Sequence, residues 1–325
     1  MRFGILSTAD IARGSMIPAI TDSDHELVAL ASRDEESARS FVADLDVDIP
    51  EIYGSYEALL DADIDAVYNP LPNALHAEWT KKAADAGLHV LCEKPLTVDA
   101  DQARDLFDYC DDAGVTVMEA FMYQFHPRTH RVREIVADDL ATVRNIQATF
   151  TFSLTGQPDD IRLSPELAGG SLMDVGCYPV SAVRGILGEP QRVSAHALDT
   201  KSSGVDTEMA TRLEYDQASA QLWFGFDTPH RQHYRIDAEN GWLEAESVFN
   251  PGRSDVEITY SVDGDVRTET FDGVDSYRLE VDAFATAVET GSEPPVTRAE
   301  TVANMRVIDA LSESADRNET VTLSE

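Results

Sequence analysis

RFGILSTADIARGSMIPAITDSDHELVALASRDEESARSFVAD, residues 2–44, decides the architecture. Arg2–Ser7 is a short apolar run that reads as a strand, and Ile11–Ile20 carries the spacing of a helix. Glu26–Ser32 is again a continuous apolar run, the pattern of a strand buried on both faces. Asp34 then stands where a helix N-cap belongs, ahead of Glu35–Asp44. The alternation continues down the chain. Ser55–Leu60 reads as a short helix capped by Ser55, Ala66–Asn69 as a strand, and Ala74–Ala86 as a helix ended by Gly87. Leu88–Cys92 is a strand, Asp101–Ala113 a helix ended by Gly114, and Val115–Glu119 a strand. Strand–helix units of this length require a parallel sheet with helices on both faces, a doubly wound α/β arrangement.

The pattern changes after residue 120. Asn145–Leu154 alternates like a strand, and Gly169-Gly170 leads into a mixed helical stretch, Ser171–Leu187. From Arg192 to Phe271 the chain is strand-like, with turns at Asp216-Gln217, Asn240-Gly241 and Asp263-Gly264. Asn-Gly and Asp-Gly are hairpin turns, so an antiparallel sheet is expected. Ser276–Glu289 and Arg298–Ala315 read as closing helices. The fold class is therefore α/β: an N-terminal doubly wound Rossmann domain over 1–120 and a C-terminal α+β domain over 121–325. The second carries a mostly antiparallel sheet, and the helix at about 298–315 is expected to pack back on the first domain.

Charge limits the partners. Sixty acids against 25 bases give a net charge of −35, spread along all 325 residues, and only Lys81, Lys82, Lys94 and Lys201 are lysines. Such a surface repels nucleic acid and anionic membrane, and it repels itself in dilute buffer. At about 1 M salt the Debye length falls to roughly 3 Å and that repulsion is screened. A high-salt cytoplasm is the expected setting. No run of about 18 apolar residues indicates a membrane span, and the N-terminus lacks the features of a secretory signal. Cys92, Cys110 and Cys177 lack metal or disulfide spacing and read as packing groups, so no metal is expected.

A dinucleotide site places GxGxxG after the first strand, with the pyrophosphate at a helix N-terminus. Here those positions are Ser7, Ala9 and Ala12, all small, with Thr8 and Ile11 beside them. Close backbone approach or simple packing both explain small residues there. At the end of the second strand, where NAD enzymes place an acid for the ribose hydroxyls, this chain has Ser32-Arg33. Arginine is a fork of donors for a 2′-phosphate, and serine does not repel one. NADP is therefore expected over NAD. The other reading makes Arg33 a solvated charge and gives the ribose to Asp34.

Three segments carry a family resemblance: DAVYNPLPNALHAEWTKKAADAGLHVLCEKPLTVDA at 65–100, EAFMYQFHPR at 119–128 and GGSLMDVGCYP at 169–179. In this order and spacing they resemble the family grouped around glucose–fructose oxidoreductase and inositol dehydrogenase, and most of all its sugar- and dihydrodiol-oxidising branch. The resemblance implies NADP-dependent oxidation at the anomeric carbon of an aldopyranose, D-xylose to D-xylonolactone being preferred, in a pentose-catabolic role. Another aldose or a dihydrodiol is the alternative substrate. A non-catalytic NADP-binding regulator is the alternative of another class. The resemblance also implies that the antiparallel sheet of the second domain is large and open, with a homodimer or homotetramer formed through it.

By the same resemblance Lys94 and Tyr178 stand near the nicotinamide and Asp174 beside the substrate. Leu71, Pro72, Asn73, His76, Glu93 and Lys94 contact the cofactor, and His126 and Arg162 are further candidates for the sugar. Gln124 departs from the arginine found in close relatives. Chemically, removing a hydroxyl proton suits a tyrosine only when its anion is stabilised, because its reference pKa is near 10. A nearby ammonium does this, so Lys94 and Tyr178 form an acid/base pair, or Lys94 orients the hydroxyl while Tyr178 moves the proton. Lys94 follows a strand and precedes Pro95, where ligands of such sheets bind. Asp174 and Tyr178 share a face if their segment is helical, although Gly176 and Pro179 point to a helix start. Asp174 otherwise reads as a helix cap. His76 either donates to the cofactor or caps the helix that follows Asn73.

Overall fold

The computed structural model describes residues 1–323; the last two, in the expected second domain, lie outside them. The chain divides into two compact units, residues 1–121 with 277–302, and 122–276 with 303–325.

In the first unit, β1 (Arg2–Leu6), β2 (Glu26–Ala31), β3 (Glu51–Tyr53), β4 (Ala66–Asn69), β5 (His89–Glu93) and β6 (Val117–Ala120) form one parallel sheet. The order is β3-β2-β1-β4-β5-β6. The direction of winding reverses between β1 and β4, so the crevice for a ligand opens where Ser7 and Pro70 leave the sheet. The strands read as apolar runs because helices cover both faces: Phe3, Ile5, Leu6, Val67, Tyr68, Val90 and Leu91 are fully buried. Each such side chain contributes about 1.5–3 kcal/mol.

The connecting helices are α1 (Ile17–Thr21), α2 (Glu35–Ala43), α3 (Tyr56–Leu60), α4 (Asn73–Asp85) and α5 (Ala100–Ala113). Caps set their starts, as the sequence indicates. Asp34 accepts from Ser37 N at 2.8 Å and Ser55 from Ala58 N at 3.2 Å. Gly114 ends α5 at φ 72°. The expected helix Ile11–Ile20 is corrected: its central turn, Ala12–Met16, is π-helical, and α1 follows with Pro18 in its first turn. A wider turn keeps Ala12, Met16 and Ile17 buried, so apolar spacing alone does not reveal it.

In the second unit, α6 (Pro127–Glu134) precedes β7 (Val143–Ser153), and α7 (Cys177–Leu187) precedes the remaining strands. These are β8 (Arg192–Leu198), β9 (Glu208–Glu214), β10 (Ser219–Gly225), β11 (Asp227–Ala238), β12 (Gly241–Glu246), β13 (Val256–Val262) and β14 (Asp265–Phe271). With β15 (Val321–Thr322) they make a nine-stranded sheet, β14-β13-β12-β11-β7-β10-β9-β8-β15. The three expected hairpins are present. One pair differs: β10 runs parallel to β7, with α7, β8 and β9 between them in the chain. In β9 the buried residues are Met209, Thr211 and Leu213, the two-residue period of a sheet covered on one face.

Two helices close the chain, α8 (Ser276–Thr290) and α9 (Arg298–Arg317). The ring of Phe284 lies 6.2 Å from that of Phe3, and Val302 packs on the core of the first unit. All three cysteines are buried, consistent with packing roles. Among the described residues no helix is long and apolar enough to cross a membrane.

Candidate functional site

At the end of β1 the chain turns sharply. Ser7 adopts φ 99°, a conformation usually left to glycine, at the position of the first glycine of the dinucleotide motif. Such a conformation costs about 1–3 kcal/mol and persists only where the surroundings impose it. Ser7 N donates to Ala31 O at 2.9 Å, and Ser7 Oγ accepts from Ala9 N at 3.1 Å. The tight turn of the motif is thus kept without glycine. Thr8, Ala9 and Ile11 are half-buried along it, and Ala12 is fully buried. Ala12 N and Arg13 N donate to Ala9 O at 3.0 and 3.2 Å, so the N–H groups that suit a pyrophosphate are those before them, at the very start of the helix.

At the end of β2, Ser32 is buried and its N–H donates to Tyr53 O at 3.1 Å. Arg33 is exposed and forms no ion pair among the described residues. Asp34 is occupied as the cap of α2, and the Ser37 N–H holds its carboxyl below the usual range. The alternative that gives Asp34 to the ribose therefore competes with the cap, whereas the Arg33 guanidinium is available. These residues fit a dinucleotide bearing a 2′-phosphate.

One ring lies between the next two loops. His76 is buried, with Nε2 2.6 Å from Leu71 O and Nδ1 2.8 Å from Pro95 O. Asn69, also buried, bonds His76 O through Nδ2 at 3.2 Å and accepts from Leu71 N at 3.3 Å. The expectation that His76 donates to a cofactor or caps α4 is corrected: both ring nitrogens face backbone carbonyls, and Pro72 occupies the cap position. Two carbonyls favour the imidazolium, but burial opposes it more strongly, and the Lys94 charge adds to burial. The pKa falls to about 4 and the ring is neutral. With a single ring N–H, the neutral His76 donates to one of the two carbonyls, Leu71 O or Pro95 O, and its ring stands between the loop of Leu71, Pro72 and Asn73 and the one carrying Lys94. Pro72, Asn73 and Lys94 are half-buried, and the Lys94-Pro95 bond is cis. Glu93 accepts from the buried Tyr68 Oη at 2.6 Å, and Leu96 N donates to the buried Glu119 at 2.9 Å.

In the second unit, Leu172–Gly176 forms a π-helical turn that runs directly into α7, so Gly176 and Pro179 do not interrupt the helix. A Cβ on Gly176 would stand 2.6 Å from the Phe224 ring, which explains the glycine. Asp174 lies in that turn and is not its cap. Its Oδ2 accepts from Arg162 Nε at 2.9 Å, and Arg162 also bonds Asp160 at 3.2 Å. Arg162 and Asp174 are thus brought together, and Asp174 is the leading cause that raises the Arg162 pKa. Tyr178, buried on α7, donates from Oη to Met122 Sδ at 3.6 Å. Its ring centre lies 5.3 Å from that of Phe150, 5.6 Å from Phe249 and 6.0 Å from Tyr123. Gln124 donates to Ser181 Oγ at 3.3 Å.

His126 caps α6, its Nδ1 accepting from Arg128 N at 3.0 Å. Burial, with Arg128 and His130 nearby, lowers its pKa to about 4, so the proton sits on Nε2. That buried Nε2 has no hydrogen-bond partner among the described residues. Arg128 is also buried and donates to Glu246 O at 2.8 Å and Ser247 O at 2.7 Å.

Sequence reasoning missed Tyr68, Asn69, Glu119, Arg128, Phe150 and Phe249. Tyr68 and Asn69 lie in the segment 65–100, and Glu119 and Arg128 in EAFMYQFHPR at 119–128, so the motifs marked four of them without giving their roles. Phe150 and Phe249 read as ordinary strand or loop residues, and contacts distant in sequence bring them to Tyr178.

Comparison with known proteins follows this geometry. The model described as an oxidoreductase family with an NAD-binding Rossmann fold matches residues 1–121, and the GFO/IDH/MocA C-terminal domain matches 129–244. The chain is 57% identical to D-xylose 1-dehydrogenase (NADP(+)) 2 of Haloferax volcanii, over 99% of this chain and 100% of that protein. A 3-ketoreductase from Actinomadura kijaniata, solved in complex with NADP and TDP-benzene, superposes with a TM-score of 0.90 at 31% identity, covering 97% of each chain. An aldose-aldose oxidoreductase from Caulobacter crescentus, complexed with glycerol, gives a TM-score of 0.90 at 26% identity over 99% of each. With both domain models matched and one relative alike from end to end, the chain belongs to the GFO/IDH/MocA family of oxidoreductases.

Proposed function

We propose that this protein is an NADP-dependent sugar dehydrogenase that oxidises the anomeric carbon of D-xylose to give D-xylonolactone. The observation that carries this reading is the 57% identity, along the whole chain, to a D-xylose 1-dehydrogenase named for NADP(+). Ser7, Thr8, Ala9 and Ile11 form the pyrophosphate turn. Ser32 and Arg33 receive the 2′-phosphate, and Leu71, Pro72, Asn73 and Glu93 line the remaining loops. When bound, the nicotinamide accepts the hydride that leaves the anomeric carbon.

The chain's own residues handle the proton. Tyr178 Oη, held as the phenolate that the Lys94 ammonium favours, takes it from the anomeric hydroxyl and becomes the neutral phenol. Lys94 and Tyr178 belong to different units, so their pairing is part of the proposal. Asp174, oriented by Arg162, accepts a hydrogen bond from a sugar hydroxyl, and the neutral His126 Nε2–H donates one. The residues taken as cofactor- and substrate-binding define domains 1–120 and 121–325. We further propose a pentose-catabolic role in a high-salt cytoplasm, and a homodimer or homotetramer assembled through the open sheet. The acidity of the chain and its likeness to a Haloferax enzyme support the salt setting.

Initial rates of NADP reduction in concentrated KCl, over a panel of aldopyranoses and a dihydrodiol, test the reading. Highest kcat/KM with D-xylose is expected. Tight NADP binding without turnover of any sugar would instead identify a regulator.

A further inference from the structure

The helix bearing Asp174 and Tyr178 starts at a corner built by a residue far away in sequence. Asp206 Oδ2 accepts from Ser171 Oγ at 2.5 Å and from Leu172 N at 2.8 Å, while Asp206 O accepts from Ser171 N at 2.8 Å. Asp206 thus does for this helix what a local N-cap does elsewhere: it satisfies donors of the first turn and places a carboxylate at the positive end. The glycine pair before the helix makes room for it. Gly170 has φ 111°, and a Cβ there would collide with Asp206 Oδ1. A Cβ on Gly169 would collide with Arg162 O.

Asp206 is itself held by the sheet. The next residue, Thr207, donates from N to Leu198 O at 2.8 Å and accepts at O from Phe226 N at 2.8 Å. On the other side of the corner, Gly170 N donates to Arg162 O at 2.8 Å, and the Arg162 side chain reaches Asp174. The chain from sheet to Asp206 to Ser171 therefore fixes where the helix begins, and so where Asp174 and Tyr178 stand along its axis.

We propose that Asp206 is a positioning residue for the reaction, setting the placement of Tyr178 and Asp174 from the nine-stranded sheet. The proposal rests on the reading that those two residues serve sugar oxidation. Burial raises the Asp206 pKa to about 6 against its hydrogen bonds, the mark of a carboxyl retained in a costly place.

The test compares Asp206→Asn, Asp206→Ala and Ser171→Ala, with NADP and D-xylose as probes in high salt. Rates are counted per NADP-binding site, from titration of protein fluorescence, so that unfolded material does not enter. Asp206→Asn keeps an acceptor oxygen and is expected to hold kcat within about threefold. Asp206→Ala is expected to lower kcat per site by about tenfold to a hundredfold, with NADP affinity unchanged, because the cost falls on misplaced groups. Ser171→Ala, which removes one donor only, is expected to lower it about threefold to tenfold, and it decides the matter if Asp206→Ala does not fold. Unchanged kcat per site in Ser171→Ala and in folded Asp206→Ala would overturn the proposal. Tyr178→Phe is run alongside. Full turnover in that variant sinks the reading of Tyr178 itself, whereas its loss beside intact Asp206→Ala turnover sinks only the role of Asp206.

Discussion

Arg162 donates from Nε to Asp174 Oδ2 at 2.9 Å, and Asp174 is largely shielded from water while Arg162 is partly exposed. The pair joins the loop after β7 to the π-helical turn before α7. A charged hydrogen bond of this kind orients the carboxylate as well as stabilising it. On the proposed reading of the site, Arg162 acts on the sugar through Asp174. Arg162→Ala is expected to lower kcat/KM for the sugar by about tenfold to a hundredfold, the worth of one charged hydrogen bond. KM for NADP should stay within about threefold. Steady-state kinetics with each substrate varied in turn checks both halves, and a loss confined to NADP would move Arg162 out of the substrate role.

Cofactor choice is expected to lie with Arg33. Its guanidinium is exposed, whereas the neighbouring Asp34 is spent on Ser37 N. Arg33→Ala should cut kcat/KM for NADP by about tenfold to a hundredfold, since a charged hydrogen bond contributes about 1.5–3 kcal/mol. Activity with NAD should change little. Equal losses with both cofactors would show that Arg33 is not reading the 2′-phosphate.

His76 and His126 are expected to stay neutral well below the ordinary histidine range, each with a pKa near 4 in place of 6.5. The folded rings then take up protons later than the unfolded chain does. Each contributes a penalty of up to about 3 kcal/mol that is absent above pH 6.5 and grows as the pH falls toward 4. Ring NMR signals followed through titration measure this directly. A midpoint near 6.5 for either ring would contradict the burial argument.

Much of the first unit was legible because strands covered on both faces must be apolar throughout, and because Asp34, Ser55 and Gly114 are caps with local chemistry. The three hairpin turns were legible for the same local reason. The π-helical turns were not, since a five-residue turn buries the same apolar residues as an α turn does. The parallel pairing of β7 with β10 was hidden as well: a two-residue alternation is identical in either strand direction. Lys94, Tyr178 and Asp174 were named through motifs. The partners that hold the helix and the loops in place, Asp206 at Ser171 and His76 at Pro95, are contacts 35 and 19 residues long that no local pattern encodes.

Salt is expected to be part of the fold. With a net charge of −35, repulsion is strong in dilute buffer. It is screened at molar ionic strength, where the Debye length is about 3 Å. Lowering KCl should reduce the melting temperature steadily and end in loss of activity. An unchanged melting temperature in salt-free buffer would refute the salt-adapted reading.

The most direct measurement is the pre-steady-state rate of NADP reduction by D-xylose in concentrated KCl, for the native protein, Lys94→Ala and Tyr178→Phe, each first shown to bind NADP. Native protein should reduce NADP, and each variant should lose at least about a hundredfold, within the range attributed to one acid/base group. Near-native rates in either variant, with NADP still bound, would contradict the assignment of proton transfer to that residue.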